Sequence, residues 1–342
     1  MFIEMEQSAT QVEIERVLEA IRDKGWEPIV NSGISLTGIG VAVEPGPKKE
    51  EFMGSLEAFP GVARVIPISK PYIFPARRPG QKTTEVRISE SVVIGGPAFT
   101  LIAGPCAIEN REMLAQTANE VKSRGAQVLR GGAYKPRTSR HAFRGLGVDG
   151  LVYLKEASGH FGLPTVTEVM EIRDIDVIAD HTDILQIGAR NAQNFNLLEA
   201  VGKCTDKAVL LKNGLAMTIE EFLCAADYVM SQGNQNVILC VRGVRSYDPA
   251  VRNFLDFGSI AALRLRTHLP IVVDPSHATG SWDIVAPVAV AAATIADGVM
   301  VDVHPNPTKA LVDGKQSLTF ERFRQLVDAM RPVAEAVGKI WQ

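Results

Sequence analysis

The 342-residue sequence has few cysteines, no long apolar run and no block of like charges. Its 4 cysteines are far apart and form no C-x-x-C pair, which excludes a disulfide framework and a zinc knuckle. The longest apolar stretch, Ile284 to Ala296, contains Pro287 and is shorter than the roughly 20 residues that a membrane helix requires. The sequence therefore predicts a protein that does not bind a membrane.

Charge is balanced and evenly spread along the chain. Lys and Arg total 36 against 39 Asp and Glu, a formal net charge of −3, and no basic stripe interrupts the pattern. A nucleic-acid partner is therefore not expected. The N-terminal segment carries acidic residues where a signal peptide needs basic ones, so we expect a cytoplasmic location.

Residues 1–70 have the pattern of a small β-α-β-β-α-β unit. An apolar run at Phe2 to Met5 precedes apolar residues at helical spacing from Val12 to Ile21, and a second amphipathic segment spans Phe52 to Phe59. This order is typical of a ferredoxin-like domain. Residues 71–84 are rich in Pro, Arg and Lys and are predicted to be a linker.

Residues 85–342 begin with a predicted hairpin and continue as a regular alternation of short apolar runs and longer amphipathic ones. Eight strands are predicted, at Phe99–Ala103, Gln127–Leu129, Pro164–Thr167, Ile184–Ile187, Ala208–Leu211, Val237–Cys240, Ile271–Val273 and Gly298–Val301. Strands that alternate with helices form parallel β-α units, and eight of them predict a closed (β/α)8 TIM barrel. The predicted fold class is α/β, with this barrel preceded by the ferredoxin-like domain.

Basic side chains follow the ends of several predicted strands, where barrel active sites lie. The set comprises Arg130, Lys135, Arg137, Arg190, Lys212 and Arg242. Bringing like charges together is costly unless an anion lies between them, so the set predicts a substrate with several negative charges. The alternative is that these are scattered surface cations paired with acids. Thr138 and Ser139 add hydroxyl donors beside the glycine pair Gly131-Gly132.

A second set offers metal ligands at the same end of the barrel. Cys106, His277, Asp302 and Asp313 supply a thiolate, an imidazole and two carboxylates, a mixture that suits a divalent transition metal such as Mn, Fe, Co or Zn. Each has a structural alternative, since a lone Cys is commonly a buried small side chain and an Asp often caps a turn. His304 is a rival ligand, a proton donor or a hydrogen-bonded rim residue.

Five stretches carry a resemblance to a known family. AGPCAIEN, LRGGAYKPRTS, QIGARNAQNFNLL, DPSHATG and VHPNPTKALVDGKQSL closely resemble the type I, beta-branch family of 3-deoxy-D-arabino-heptulosonate 7-phosphate (DAHP) synthases that carry an N-terminal ferredoxin-like domain. The resemblance covers nearly the whole chain. The KPRTS stretch separates it from the sister enzymes that make the eight-carbon 3-deoxy-octulosonate phosphate.

The resemblance implies condensation of phosphoenolpyruvate with erythrose 4-phosphate, with release of phosphate, as the first step of the shikimate pathway. It implies that a divalent metal is held by Cys106, His277, Asp302 and Asp313. The implied phosphoenolpyruvate ligands are Arg130, Lys135, Arg190, Lys212 and Arg242, and the implied aldose-phosphate ligands are Arg137, Thr138 and Ser139. Lys135 is the implied general acid, and Glu168 either holds the attacking water or pairs with an arginine.

The sequence departs from the family pattern at one metal position. Asp302 stands where Glu is expected before V-H-P, and its shorter side chain is expected to shift the metal or to bind it through water. Three alternatives stay open: an octulosonate-type synthase that uses arabinose 5-phosphate, a Schiff-base aldolase with Lys212 as nucleophile, and a non-catalytic phosphoenolpyruvate sensor. The resemblance also implies feedback inhibition by tyrosine or phenylalanine through residues 1–70 and a homo-tetramer.

Overall fold

The computed structural model describes residues 1–32, 37–41, 47–66, 71–137 and 139–341. The chain divides into two compact units: Met1–Phe74 with Ser231–Gly233, and Pro75–Met230 with Asn234–Gln342. Within the described residues, no helix is both long enough and apolar enough to cross a membrane. Each unit has its own hydrophobic core and is described separately below.

The first unit is a four-stranded antiparallel sheet with two helices. Its elements are β1 (Phe2–Met5), α1 (Gln11–Asp23), β2 (Pro28–Ser32), β3 (Thr37–Val41), α2 (Pro47–Leu56) and β4 (Val62–Ile66). The strand order is β2-β3-β1-β4, so β1 lies between β3 and β4. The predicted ferredoxin-like unit is confirmed. The sequence also predicts strands at residues 36–43 and 62–68, and the ends of these ranges lie partly outside the described residues.

Helix α1 shows how sequence sets the boundaries of an element in this unit. It begins at a capping box, in which the Thr10 amide donates to Glu13 Oε2 at 2.7 Å and the Glu13 amide donates to Thr10 Oγ1 at 3.4 Å. Its apolar stripe, Val17, Leu18 and Ile21, is buried against the sheet. Helical spacing of apolar residues therefore produces the core of this unit.

The second unit is a barrel of eight parallel strands. These are β7 (Ala98–Gly104), β8 (Val128–Arg130), β9 (Thr165–Val169), β10 (Ile184–Ile187), β11 (Ala208–Lys212), β12 (Val237–Val241), β13 (Ile271–Val273) and β14 (Gly298–Asp302). Each strand pairs with the next in the chain, and β14 pairs with β7 to close the barrel. The predicted (β/α)8 barrel is confirmed, and its eight predicted strands coincide with β7 to β14.

Helices alternate with these strands. They are α3 (Arg111–Ser123), α4 (Val148–Phe161), α5 (Ile175–Ala179), α6 (Phe195–Gly202), α7 (Ile219–Ser231), α8 (Phe257–Arg266), α9 (Pro275–Thr279), α10 (Trp282–Ala292) and α11 (Phe320–Ala336). Helical spacing of apolar residues predicts helices at residues 111–123, 192–201, 219–230, 283–295 and 320–337, but not α4, α5, α8 or α9. Helix α4 begins after Gly147 with no side-chain cap hydrogen bond, so the usual start signal is missing there. A short strand, β15 (Ile340–Trp341), pairs in parallel with β7.

The segment that precedes the barrel strands is part of the second unit from Pro75 onward. Arg77 Nε donates to the Thr267 carbonyl at 2.9 Å, and the Thr84 amide donates to the His268 carbonyl at 2.7 Å. Much of the segment predicted to be a linker is thus hydrogen-bonded to the barrel. Strands β5 (Val86–Arg87) and β6 (Val93–Ile94) form an antiparallel hairpin whose apolar side chains join the barrel's inner core.

The barrel interior is filled by buried residues from successive strands. Seven of them are Val128, Val166, Ile184, Leu210, Cys240, Val272 and Met300, all in one core cluster. Successive side chains of a strand point to opposite faces, so the residue two positions later points into the same interior, closer to the carboxyl end of the strand. The hydrophobic layer thus determines which residues reach the mouth of the barrel.

Candidate active site

A polar layer lies directly above the hydrophobic layer at the carboxyl ends of the strands. Its members are each two residues beyond an interior core residue: Arg130, Glu168, Gln186, Lys212, Arg242, Asp274 and Asp302. All seven are buried, and their charges are of both signs. Two pairs within the layer are in contact, Arg130 with Asp302 and Lys212 with Asp274. The carboxyl end of the strands is also where barrels of this kind place their chemistry.

A cavity of about 320 Å³ opens above this layer. Its wall includes the six cations predicted from the sequence, Arg130, Lys135, Arg137, Arg190, Lys212 and Arg242, together with Ser139, Glu168, His277 and Asp313. The structure therefore brings these ten predicted site residues together. Thr138 lies outside the described residues. Cys106, Asp302 and His304 do not line this cavity.

A second cavity of about 690 Å³ adjoins the first. The two share Lys135, Pro136, Arg137 and Arg190 in their walls. The second cavity adds Arg144 and Arg173 to the basic side chains, together with the acids Glu171 and Asp174. Three of the four shared residues are cations, so the two cavities offer room and positive charge for more than one anionic group.

Three potential metal ligands form a compact group at the edge of the first cavity. The ligand atoms of Cys106, His277 and Asp313 all lie within 4.8 Å of one another. The Cys106 thiol donates to Asp313 Oδ2 at 3.2 Å, and His277 Nε2 lies 3.8 Å from Cys106 Sγ and 3.7 Å from Asp313 Oδ2. One sulfur, one imidazole nitrogen and one carboxylate around a common point fit a divalent transition metal.

Asp274 contacts both the backbone and the ring of His277 and so holds the imidazole in the orientation that this arrangement requires. Its Oδ1 accepts the His277 amide at 2.9 Å, which caps helix α9, and its Oδ2 lies 2.9 Å from His277 Nδ1. A proton on Nδ1 leaves the lone pair of Nε2 facing Cys106 and Asp313. Burial lowers the pKa of His277 to about 3, against the opposing effect of Asp274. The imidazole is therefore neutral at physiological pH, the form that binds a metal.

Asp274 also carries the negative charge that the cations require. Its Oδ2 accepts a hydrogen bond from Lys212 Nζ at 2.6 Å. Burial favours its neutral form, but the adjacent His277 and Lys212 outweigh that effect and hold the pKa of Asp274 well below 3.8. Asp274 is therefore a buried carboxylate that contacts both the cationic wall and the imidazole ligand.

The positive charge of Arg242 is less fully neutralised by its neighbours than the positive charge of Lys212. Its guanidinium donates to the carbonyls of Gly243 and His277 at 3.4 and 3.3 Å, and burial lowers its pKa to about 10. A lowered arginine pKa means that the surroundings do not fully stabilise the positive charge. An anion in the cavity would supply that stabilisation.

Asp302 lies apart from the group of three ligands. Its Oδ1 forms an ion pair with Arg130 Nη1, and its Oδ2 accepts from Gln316 Nε2 at 2.6 Å. His304 is also buried beside the site, with Nδ1 accepting the Asn306 amide at 3.0 Å and Nε2 at 3.5 Å from Glu109 Oε1. Neither Asp302 nor His304 lines the cavity, whereas Arg130, the partner of Asp302, does.

Two glycines make room for the charged side chains. A Cβ on Gly132 would lie 2.7 Å from Lys135 Cδ and 2.6 Å from the Cys106 carbonyl oxygen. A Cβ on Gly188 would overlap Glu168 Oε1. Both positions therefore need glycine for close approach, and the Gly131-Gly132 pair contributes space for Lys135.

Several residues of the site were not predicted from the sequence. Asp274 stands in the DPSHATG stretch directly after a predicted strand, so its position carries a signal that could have identified it. Gln186 also carries a signal, since it stands two residues after Ile184 in a predicted strand, whereas Arg252, Gln316 and Glu109 carry none of this kind. Arg252, for example, reaches Asp313 Oδ1 at 3.3 Å from a loop 61 residues earlier in the chain.

Comparisons with known proteins agree across the chain. The DAHP synthetase I family matches residues 83–338, and the DAHP synthase ferredoxin-like domain matches residues 1–70. A phospho-2-dehydro-3-deoxyheptonate aldolase of Thermotoga maritima is 43% identical over 339 residues, 99% of each chain. A 2-dehydro-3-deoxyphosphooctonate aldolase of Acidithiobacillus ferrooxidans is 30% identical over 261 residues, 70% of this chain and 90% of the relative.

Solved structures give the same result. The crystal structure of the Thermotoga maritima phospho-2-dehydro-3-deoxyheptonate aldolase (DAHP synthase) matches with a TM-score of 0.77 and 42% identity, over 99% of this chain and 98% of that chain. A truncated 3-deoxy-D-arabino-heptulosonate 7-phosphate synthase from the same organism matches with a TM-score of 0.74 and 47% identity, over 79% of this chain and 98% of that one. From the barrel, the ferredoxin-like unit and these matches, it follows that the chain belongs to the DAHP synthetase I family.

Proposed function

We propose that this protein is a transferase that condenses phosphoenolpyruvate with erythrose 4-phosphate to give 3-deoxy-D-arabino-heptulosonate 7-phosphate and inorganic phosphate, the first step of the shikimate pathway. The observation that carries the proposal is the set of six cations around one cavity, beside a cluster of Cys106, His277 and Asp313. Family membership supports the same reaction.

The cationic wall is suited to two phosphorylated substrates. Arg130, Lys135, Arg190, Lys212 and Arg242 bind phosphoenolpyruvate in this proposal, since its carboxylate and phosphate are both anionic. Arg137, with Ser139 and Thr138, binds the phosphate of the aldose. Support comes from the adjoining cavity, which shares Lys135, Arg137 and Arg190 with the first and so offers space for a second substrate.

The ligand cluster fits a divalent cation of the Mn, Fe, Co or Zn type. Cys106, His277 and Asp313 would hold it, with Asp274 fixing the tautomer of His277. When bound, such an ion supplies Lewis acidity that polarises the aldehyde of erythrose 4-phosphate. Burial raises the pKa of Asp313, but His277 and Arg252 outweigh this and lower it to about 2, so Asp313 is an anionic ligand at neutral pH.

The chain's own residues then orient the substrates and move protons. The cations hold phosphoenolpyruvate so that its carbon 3 attacks the aldehyde carbon, and Lys135 donates a proton to the developing alkoxide. Glu168, buried at the cavity wall, holds the water that adds to carbon 2 and accepts its proton. The hydroxyl on carbon 2 of the adduct then loses its proton and becomes the carbonyl, as the bond between carbon 2 and the phosphate oxygen breaks and inorganic phosphate leaves with the bonding electrons.

The structure gives a reason to set aside a Schiff-base mechanism. Lys212 Nζ donates to Asp274 Oδ2 at 2.6 Å in a buried ion pair. An ammonium engaged in this way has no lone pair with which to attack a carbonyl. Lys212 is therefore assigned to anion binding. Borohydride treatment in the presence of substrate is expected to leave this lysine unmodified.

A phosphate-release assay tests the proposed reaction. We expect release to require both phosphoenolpyruvate and erythrose 4-phosphate, to fall at least about tenfold when arabinose 5-phosphate replaces the four-carbon aldose, and to be lost after treatment with EDTA. Restoration by added Mn²⁺ is the control for damage by the chelator. Equal or faster turnover of arabinose 5-phosphate would favour the octulosonate-type reaction, and binding of phosphoenolpyruvate without product would favour a sensor.

Three further parts of the proposal concern the whole protein. We place it in the cytoplasm, expect it to form a homo-tetramer, and assign residues 1–70 to inhibition by tyrosine or phenylalanine. Support for the last comes from the match of residues 1–70 to a ferredoxin-like domain found with DAHP synthases. Sedimentation analysis tests the tetramer, and cell fractionation tests the location.

A further inference from the structure

Asp302 is the buried carboxylate at the end of β14, and both of its oxygens are engaged. Oδ1 forms the ion pair with Arg130, and Oδ2 accepts from Gln316 Nε2 at 2.6 Å. Its amide donates to Ser276 Oγ at 3.0 Å, which fixes the backbone on which the carboxylate sits. Asp302 and the side chain of Arg130 are almost completely buried, so this pair is not a surface contact that solvent competes for.

One ring nitrogen of His277 faces the other two ligands, Cys106 and Asp313, and the other ring nitrogen faces Asp302. Nε2 faces Cys106 Sγ at 3.8 Å and Asp313 Oδ2 at 3.7 Å. Nδ1 faces Asp274 Oδ2 at 2.9 Å and Asp302 Oδ2 at 3.7 Å. A metal binds in the ring plane on the side of the nitrogen that coordinates it, so an ion shared by Nε2, Cys106 and Asp313 lies on the edge of the ring opposite Asp302.

We infer that Asp302 is a positioning residue for Arg130 and not a ligand of the metal. The ion then has three ligands from the chain, Cys106, His277 and Asp313, and its other positions are open to water or to a substrate oxygen, as in catalytic metal sites. Arg130 is turned toward the cavity by a carboxylate behind it, which also offsets the cost of burying the guanidinium. The inference rests on the proposed function for the identity of the two ligands, a divalent metal and phosphoenolpyruvate.

The wild-type protein provides the most direct test. We expect a crystal grown with Mn²⁺ to show the ion bound by Cys106, His277 and Asp313, with both Asp302 oxygens on Arg130 and Gln316. An Asp302 oxygen at about 2.0–2.2 Å from the ion, the usual length of a coordinate bond to a carboxylate, overturns the inference.

A charge-balanced pair of substitutions tests it in solution. Removing Asp302 alone would make the site more positive and weaken any cation by simple repulsion, so Asp302→Asn is combined with Arg130→Gln. We expect the double variant to bind Co²⁺ within about threefold of the wild-type Kd and with an unchanged visible absorption spectrum. Asp313→Asn is the matched control and is expected to weaken Co²⁺ binding by at least about tenfold. A double variant as weak as Asp313→Asn overturns the inference.

Binding of phosphoenolpyruvate, measured by calorimetry without the aldose so that no turnover occurs, tests the positioning role. We expect Asp302→Asn to raise its Kd about tenfold, because Arg130 loses its orientation. If Asp302 acts only through Arg130, the double variant binds as weakly as Arg130→Gln alone, and additive losses contradict the inference. Thermal unfolding checks that each variant is folded. A wild-type protein that binds Co²⁺ but not phosphoenolpyruvate contradicts the proposed function and leaves the cobalt test of Asp302 intact.

Discussion

At the scale of single residues, the site depends on which side chains have room and which have partners. Lys135 and Glu168 are buried in the wall of the cavity, and each lies against a glycine that has no Cβ to displace it. The positions of these two charged groups therefore depend on the space that the glycines leave. Gly188 is the clearer case, because its φ of −70° is accessible to any residue.

Gly188→Ala is predicted to damage catalysis without unfolding the barrel. The new Cβ fits the backbone conformation but overlaps Glu168 Oε1, so the carboxylate must move. Displacing a catalytic group by about 1 Å commonly costs about 100-fold in rate, so we expect kcat to fall by that order while the unfolding midpoint changes little. Steady-state kinetics and thermal unfolding measure the two effects.

Gly159→Ala is the matched control for this substitution. Gly159 lies in α4, and a Cβ at this position would have no atom within 4 Å, so alanine meets no neighbour there. We expect normal kcat and a gain of about 0.5–1 kcal/mol in the free energy of unfolding, since glycine weakens a helix interior. If Gly188→Ala also keeps its full kcat, Glu168 does not have the assigned role.

Some of the residues that the sequence predicted for the cavity are placed there by the strand pattern. Arg130, Lys212 and Arg242 follow apolar residues at a spacing of two, so their direction into the barrel follows from local sequence alone. The contacts of Asp302, in contrast, do not follow from local sequence. They depend on Gln316, 14 residues away, and on Arg130, which belongs to a strand on the other side of β7, and no local pattern specifies such partners.

At the scale of elements, loops at the carboxyl ends of two adjacent strands deliver two members of the metal cluster. The loop after β7 carries Cys106, and the longer loop after β14 carries Asp313, which has a positive φ of 52° that is unusual for a residue other than glycine. Glu109 joins these loops, since its Oε1 accepts the Leu311 amide at 2.7 Å and lies 3.5 Å from His304 Nε2. The ligands are thus held at their separation by a link outside the cluster.

Glu109→Ala is predicted to weaken metal binding although Glu109 is not a ligand. Loss of the link lets the loop that carries Asp313 move away from Cys106, and loss of such outer contacts typically costs about 10–100-fold in affinity. Titration with Co²⁺ measures the effect. Glu109→Gln keeps an acceptor oxygen for Leu311 and is expected to lose less.

The exposed residue Glu112, in the first turn of α3, provides the control for the removal of a nearby acid. We expect Glu112→Ala to bind Co²⁺ with the wild-type affinity. A Glu109→Ala protein that is folded and retains wild-type affinity would show that the loops hold their positions without this contact.

Element boundaries were predicted best where the signal was periodic. Helix α3 was predicted from Arg111 to Ser123, its observed span, because Asn110 caps it and its apolar residues recur at helical spacing. Helix α9 was missed because it has only five residues and is defined by the Asp274 cap and the αL residue Gly280. A helix of five residues has too few turns for a periodic pattern of apolar residues to appear in the sequence.

At the scale of the whole molecule, the described residues that line the active-site cavity all belong to the second unit. The first unit contributes a separate core built from its own sheet and helices. This division separates the chemistry from the proposed regulation. Because each unit has its own core, we expect the barrel to fold without residues 1–74.

Deletion of residues 1–74 is therefore predicted to leave condensation active and to remove its inhibition by tyrosine or phenylalanine. The catalytic groups stay in place because they lie in the second unit, whereas the proposed effector domain is lost. Initial rates of both proteins, with and without each amino acid, measure the effect. Inhibition that survives the deletion contradicts the assignment of regulation to this unit, and a full-length protein that neither amino acid inhibits contradicts the proposed effectors.

Asp274 couples the binding of metal to the binding of anions in the proposed site. One oxygen of this carboxylate lies 2.6 Å from Lys212 Nζ and 2.9 Å from His277 Nδ1, so a proposed anion-binding group and a proposed metal ligand share one counter-charge. Whatever occupies either side alters the field felt by the other, and thermodynamic linkage makes that influence mutual and equal. In the proposed function, metal binding therefore changes the affinity for phosphoenolpyruvate, and phosphoenolpyruvate binding changes the affinity for the metal by the same factor.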